Sequence, residues 1–421
     1  MKLITPPVPT LGGDLRVAAG SPTQQWGYPM AAAIVGLALL ASGLPSPLYG
    51  LYAQLWHFST VTLTLVYATY AIGVLAALLL AGRMSDEIGR RPVLLGGLGG
   101  IAVASVLYML ARSVLWLFFA RCLQGLATGL VLSSASAALL DLHPRRDPVA
   151  VSLANGVASA GGMTLGIFAA SVIVATLPAP RVLPYVLLAI LLVAAILAVL
   201  RLQDPLSPRA HERPRMTPQR PSVPAPTRRA FLLASLAVTS SWTINGLFLS
   251  LGPALVSRML RTDSVLLTGL VVAALPAAAS LSMVLFGKRA PWAGASGGSL
   301  ALAAGMGLMV LAVASGSVPE FLVATLLSGC GFGVAFLGGL RSLSAAIPAE
   351  HRGAVMSAFY LVAYSALSLP AIGAGLLVSP LGLNATFEIF GAVIAVLAFV
   401  VAAEALRSRP AAPRSPETLA V

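Results

Sequence analysis

Apolar residues fill this chain in long blocks, and short polar stretches separate them. Twelve such blocks lie near residues 27–53, 60–81, 92–111, 115–140, 149–176, 183–200, 230–256, 264–286, 297–315, 319–346, 353–378 and 384–404. A helix needs about 20 mostly apolar residues to cross a bilayer, and every block is close to or above that length. The pattern predicts an all-α integral membrane protein with twelve transmembrane helices. A polar, Pro- and Arg-rich stretch at 201–229, with seven Arg and seven Pro, divides the helices into two groups of six. The expected organisation is an N-terminal segment 1–26, a first six-helix bundle 27–200, an extended linker 201–229, a second bundle 230–405 and a tail 406–421.

Composition supports the same reading. The 421 residues are 58% hydrophobic and 9% charged, with a mean hydropathy of +0.92. Soluble domains carry about 25% charged residues, so this chain has too little polar surface to cover a soluble globule. The net charge of +13 follows topology. With both termini cytoplasmic, Arg112, Arg181, Arg258 and Arg261 fall outside, Arg121 and Arg341 fall within helices, and every other Lys and Arg falls inside. This positive-inside bias sets the expected orientation in the cell membrane. Nucleic-acid binding is excluded, since no basic groove with stacking aromatics is present. Residues 1–26 hold no apolar region followed by a small-residue cleavage site, so the first span is expected to be retained. Cys122 and Cys330 lie in apolar helices and read as small buried residues. His57, His143, His211 and His351 fall in loops or at helix edges without clustering. No metal, cofactor or enzyme chemistry is expected from these residues.

The two halves look related. Gly125 and Gly129 of span 4 match Gly329 and Gly333 of span 10 at an offset of 204. Gly82 and Gly89 after span 2 match Gly287 and Gly294 after span 8 at an offset of 205. The expected fold is therefore two pseudo-symmetric six-helix bundles. In the second copy Pro291 stands where Asp86 would be, and Ala295-Ser296 replace Arg90-Arg91.

Three segments carry candidate chemistry. The loop Gly82-Arg83-Met84-Ser85-Asp86-Glu87-Ile88-Gly89-Arg90-Arg91-Pro92 concentrates charge between two spans. Span 4 carries Arg121-Cys122-Leu123-Gln124-Gly125-Leu126-Ala127-Thr128-Gly129. An Arg at membrane depth is costly and needs a cavity or a partner. Gln124 shares its face, and Gly125 and Gly129 form a small-residue packing stripe. Together the G-x-x-x-D-x-x-G-R-R loop between spans 2 and 3 and the R-x-x-Q-G-x-x-x-G run in span 4 resemble signature motifs of the major facilitator superfamily, in the manner of its drug:proton antiporters. The resemblance implies secondary transport by alternating access around a central site. It implies that Gly82, Asp86, Gly89, Arg90 and Arg91 form a cytoplasmic gate, with Asp86 facing the start of span 11 near Gly353. It implies that Arg121 and Gln124 serve proton coupling or substrate binding. Span 5 departs from the antiporter pattern: Gly156, Gly161, Gly162 and Gly166 stand in looser register, and the proline is absent.

Other cavity candidates are Tyr49, Tyr67, Tyr70, Asn155, Trp242, Asn245, Arg341, Tyr360 and Tyr364. Span 1 is expected to break at Pro45-Ser46-Pro47, and irregular backbone at that depth must face protein or a cavity. Of 13 Asp and Glu, only Glu388 lies clearly within a span, where it is the one conspicuous proton-carrier candidate. Asp141 sits at the edge of span 4. A cavity with net positive charge points to a neutral or anionic substrate. The expected partners are a small organic molecule, protons and the lipid bilayer, with the chain working as a monomer. Proton-coupled efflux is the expected activity, and uptake by symport or uniport is the alternative.

Overall fold

The computed structural model describes residues 22–81, 84–201, 221–348 and 351–407, excepting the side chains of 22–25, 81, 86 and 352. Gly82, Arg83, most of the linker and most of residues 1–26 and 406–421 therefore lie outside the described residues, as does the side chain of Asp86.

Twelve helices among the described residues are long and apolar enough to cross a membrane. They are span 1 (Trp26–Trp56), span 2 (Thr60–Leu80), span 3 (Arg90–Met109), span 4 (Val114–Leu142), span 5 (Pro148–Thr176), span 6 (Leu183–Arg201), span 7 (Ala225–Ser250), span 8 (Val265–Phe286), span 9 (Pro291–Ser315), span 10 (Val318–Ala346), span 11 (Gly353–Leu381) and span 12 (Leu383–Arg407). Several edges differ from the sequence expectation. Span 9 begins at Pro291 rather than near 297, because Pro at the first turn needs no amide partner and its fixed φ suits a helix start. Span 7 begins within the stretch read as linker, in a 3-10 turn at Ala225–Thr227. It stops at Ser250, and a separate short helix, Gly252–Leu260, follows. Span 1 breaks as expected: one helix ends at Gly43, Ser46–Leu48 form a 3-10 turn, and a second helix covers Tyr49–Trp56.

Local chemistry fixes several helix starts. Asp147 accepts a hydrogen bond from the Val149 amide at 2.8 Å, with Pro148 at the first position of span 5. A capping carboxylate of this kind contributes about 1 kcal/mol. Gly89 opens span 3 with φ +100°, a conformation that favours glycine.

The packing repeats from one half to the other. Spans 2 and 3 both pack on span 4, as 8 and 9 do on 10; span 1 packs on 5 as 7 does on 11, and span 3 on 6 as 9 does on 12. The halves meet where span 5 packs on span 8 and span 2 packs on span 11. Glycines set the closest approaches. A Cβ on Gly125 or Gly129 would meet the backbone of Tyr70 or Val74 in span 2. A Cβ on Gly329 or Gly333 would meet the backbone of Leu275 or Ala279 in span 8. Both stripes therefore serve the same packing role at the same offset, which deepens the repeat read from sequence.

Candidate functional site at the bundle centre

Arg121 organises the centre of the first half. It lies near the start of span 4 and is fully buried. Instead of reaching for the surface it turns inward to span 1. Its Nε donates to the Tyr49 hydroxyl at 2.6 Å, and Nη1 donates to the Ser42 carbonyl at 3.1 Å and to Gln124 Oε1 at 2.7 Å. Gln124 donates in turn to the Ala41 carbonyl at 2.8 Å. These carbonyls lie where the first helix of span 1 ends, so the proline break and the guanidinium meet. The helix stops at Gly43, and C-terminal carbonyls without intrahelical partners are available to a cation.

Aromatic rings surround this charge. The guanidinium carbon lies 5.4 Å from the centroid of the Tyr70 ring and 6.0 Å from that of Tyr67. Tyr108 of span 3 donates to Gln124 Oε1 at 3.4 Å and stacks on Tyr185 of span 6 at 4.7 Å. Tyr52 donates to the Tyr185 hydroxyl at 3.3 Å. Among the described residues, Arg90 and Arg121 are the only charged residues that are buried. Arg90 pairs with an acid, and Arg121 has no ion pair with any described residue. Its Nη2 is buried without a hydrogen-bond partner. A buried, unpaired cation is among the costliest arrangements in a fold. Here oriented hydroxyls, carbonyls and ring faces offset part of that cost.

The second half contributes a neutral, aromatic wall. Trp242 of span 7 meets Tyr364 of span 11 edge-on at 5.0 Å and Phe336 of span 10 at 5.7 Å. Tyr67, Tyr70 and Tyr364 belong to one buried cluster, with Trp242 and Tyr360 packed against it. Asn245 Oδ1 and Ser241 Oγ are buried without hydrogen-bond partners. The structure thus brings Arg121, Gln124, Tyr49, Tyr67 and Tyr70 together, and sets Tyr364, Trp242 and Tyr360 beside them. Tyr108 and Tyr185 are part of the same assembly and were not singled out from sequence.

Other candidates fall elsewhere. Asn155 accepts from Ser136 at 2.9 Å and joins spans 4 and 5. Arg341 donates through Nη1 to the carbonyls of Gly287 and Arg289, at 2.5 and 3.1 Å. It thereby closes the end of span 8, about one and a half turns of span 10 beyond Phe336. Glu388 is half-buried and makes no hydrogen bond or ion pair with any described residue. Gly162 and Gly166 of span 5 face the backbone of Gly36 and Leu40 in span 1, while Gly161 faces Ser280 of span 8. The span 5 glycines therefore pack against spans 1 and 8 together.

At the basic end, Arg90 donates to Asp141 Oδ2 at 3.1 Å and to Ser85 Oγ at 2.7 Å, and its carbonyl accepts from Ser134 at 3.0 Å. Arg91 donates to the Leu200 carbonyl at the end of span 6. These contacts knit the 84–91 segment onto spans 4 and 6 of its own half.

Known proteins share this fold. The Major Facilitator Superfamily description matches residues 31–369. A multidrug resistance protein, MdtL, of Shigella flexneri serotype 5b (strain 8401) is 36% identical over 123 residues. MdtL of Escherichia coli O139:H28 (strain E24377A / ETEC) is 35% identical over the same length. Each match covers 29% of this chain and 30% of the relative's length. The crystal structure of the human organic anion transporter MFSD10 (TETRAN) superposes with a TM-score of 0.66 at 19% identity. That superposition covers 91% of this chain and all of the other, and at this identity it speaks for the fold. With twelve membrane-length helices, a repeated packing scheme and a family match over most of its length, this chain is a multi-pass membrane protein that belongs to the Major Facilitator Superfamily of transporters.

Proposed function

We propose that the protein exports a small organic molecule by proton-coupled antiport, with the two halves rocking around the Arg121 centre. The observation that carries this reading is the buried guanidinium, unpaired by any acid among the described residues and set at the interface between the halves through Tyr67 and Tyr70. Such a charge favours a neutral or anionic substrate and repels a cationic one. Its interaction with the centre changes when a proton or an anion arrives, and a differential interaction is what shifts a two-state equilibrium. The export direction is supported by the relatives named for multidrug resistance. Both termini and the 82–92 loop are assigned to the cytoplasm by the distribution of Lys and Arg. The gate reading gives Asp86 the role of holding the halves closed on that side. Asp86→Asn is expected to leave expression and folding intact while abolishing flux, and normal flux from a well-folded variant would refute the gate.

The direct test uses everted vesicles with an acid interior, read by a pH-sensitive quenched dye. Neutral, anionic and cationic compounds are added in turn, with Arg121→Ala as the control. Dequenching by a neutral or anionic compound, lost in the variant, is the expected result. Dequenching by quaternary ammonium compounds alone would contradict the substrate charge assigned here.

A further inference from the structure

Resting on that transport reading, we infer that the central site takes a monoanion with a flat aromatic body, its carboxylate or sulfonate set on Arg121 and its ring against Trp242, Tyr364 and Phe336. Three independent features of the site converge on this class.

The first is charge. Among the described residues, Arg121 is fully buried, carries no ion pair and leaves Nη2 without a hydrogen-bond partner. Nε and Nη1 are occupied by Tyr49, Ser42 and Gln124. One corner of the guanidinium is therefore held in place and free to donate, which is the arrangement that receives an anionic oxygen at least cost in ordering. One negative charge balances the centre. A second would find no partner, since the neighbouring groups Tyr67, Tyr70, Tyr364, Trp242, Asn245 and Ser241 carry no positive charge.

The second is shape. Across the interface the wall is aromatic: Trp242 sits 5.0 Å from Tyr364 and 5.7 Å from Phe336, at interplanar angles of 85° and 47°. Rings set edge-on and tilted leave faces and edges for a further ring to pack against, and such pairs contribute beyond area burial alone. Aliphatic anions would gain the charge contact and lose this packing.

The third is leftover polarity on the same wall. Asn245 Oδ1 and Ser241 Oγ, both on span 7 with Trp242, are buried without partners. A buried polar atom in that condition is costly unless something supplies its hydrogen bond. A hydroxyl or amide substituent on the aromatic body would do so. In the conformation described here Tyr67, Tyr70 and Tyr364 are nearly fully buried, so the ligand enters when spans 2 and 11 separate.

The experiment measures equilibrium binding to the full-length protein in lipid nanodiscs with four radiolabelled probes. These are 2-naphthoate, naphthalene-2,6-dicarboxylate, hexanoate and (2-naphthylmethyl)trimethylammonium. The expected order places 2-naphthoate at least tenfold tighter than each of the others. Arg121→Gln is expected to abolish the preference for naphthoate over the ammonium probe. Trp242→Leu leaves the buried guanidinium network in place, and is expected to weaken naphthoate at least fivefold while leaving hexanoate unchanged. Equal binding of the ammonium probe, tighter binding of the dicarboxylate, or a Trp242→Leu variant that binds naphthoate as the wild type does would overturn the assignment. Vesicle flux run beside it separates the two levels. Flux of neutral compounds without naphthoate binding sinks the substrate class and leaves transport standing. Naphthoate binding with no flux of any compound sinks transport and leaves the class.

Discussion

The buried guanidinium sets the directional chemistry of the central site. Arg121 makes a directional set of contacts, with Nε on Tyr49 and Nη1 shared between Ser42 and Gln124. Lysine keeps the charge and loses the planar fork, so it cannot reproduce both contacts at once. Arg121→Lys is expected to fold and to lower flux at least tenfold, as read in the vesicle assay; wild-type flux would show that charge alone suffices. At the other end of the same bundle, Arg90 and Asp141 form a pair whose side chains are 10% and 25% exposed. Truncating one partner of a mostly buried pair leaves the other uncompensated, discounted here for the exposure of Asp141. Asp141→Asn is expected to cost about 1–2 kcal/mol, seen as a lowered melting temperature in detergent. The same substitution should loosen the 84–91 segment, seen as faster amide exchange there than in span 6. An unchanged melting temperature with unchanged exchange would show that Ser85 and the Ser134 contact hold Arg90 without the acid.

At the level of helices, glycine spacing carries the packing. A methyl on Gly125 would meet the Tyr70 backbone, whereas nothing lies within reach of a methyl on Gly99. Overpacking a tight contact costs about 1–3 kcal/mol, and a backbone neighbour cannot swing aside as a side chain can. Gly125→Ala is therefore expected to lower thermal stability by that amount, and Gly99→Ala to leave it unchanged or raised; comparing the two melting curves checks the claim directly. The same contrast shows what sequence can reveal. Gly125, Gly129, Gly329 and Gly333 were legible because a fixed offset repeats in sequence. Arg121 and the Pro45-Ser46-Pro47 break were legible because a charge and a paired proline are conspicuous in apolar helices. Tyr108 and Tyr185 were not, because their role comes from one ring stacking on another across two spans, and an isolated Tyr in an apolar run carries no sign of its partner. Span 9 was read as starting too late because Pro291, Gly294, Ser296 and Gly297 look like loop; in the fold they form the first turns of a helix packed against span 10.

Taken as a whole, the molecule repeats its most irregular element. Span 1 ends its first helix at Gly43 and resumes as Tyr49–Trp56, closing at His57 with φ 49°. Span 7 ends at Ser250, resumes as Gly252–Leu260 and closes at Arg261 with φ 50°. His57 and Arg261 stand 204 residues apart, the offset of the glycine stripes. The two breaks meet: Ser46 Oγ donates to the Leu249 carbonyl at 3.0 Å, joining the halves at the end opposite the 84–91 segment. If the halves rock apart at this end during the cycle, the contact must break once per turnover. A single neutral hydrogen bond contributes about 1 kcal/mol, enough to bias the two states without locking them. Ser46→Cys and Leu249→Cys, placed together in a background where Cys122 and Cys330 are replaced by Ala, should therefore report on the motion. Bridging the two thiols with a short reducible cross-linker is expected to stop flux, and reduction is expected to restore it. Each single cysteine treated in the same way should transport normally. Full flux in the bridged protein would mean that this end stays closed throughout, and the rocking motion would have to be replaced by one confined to the basic end.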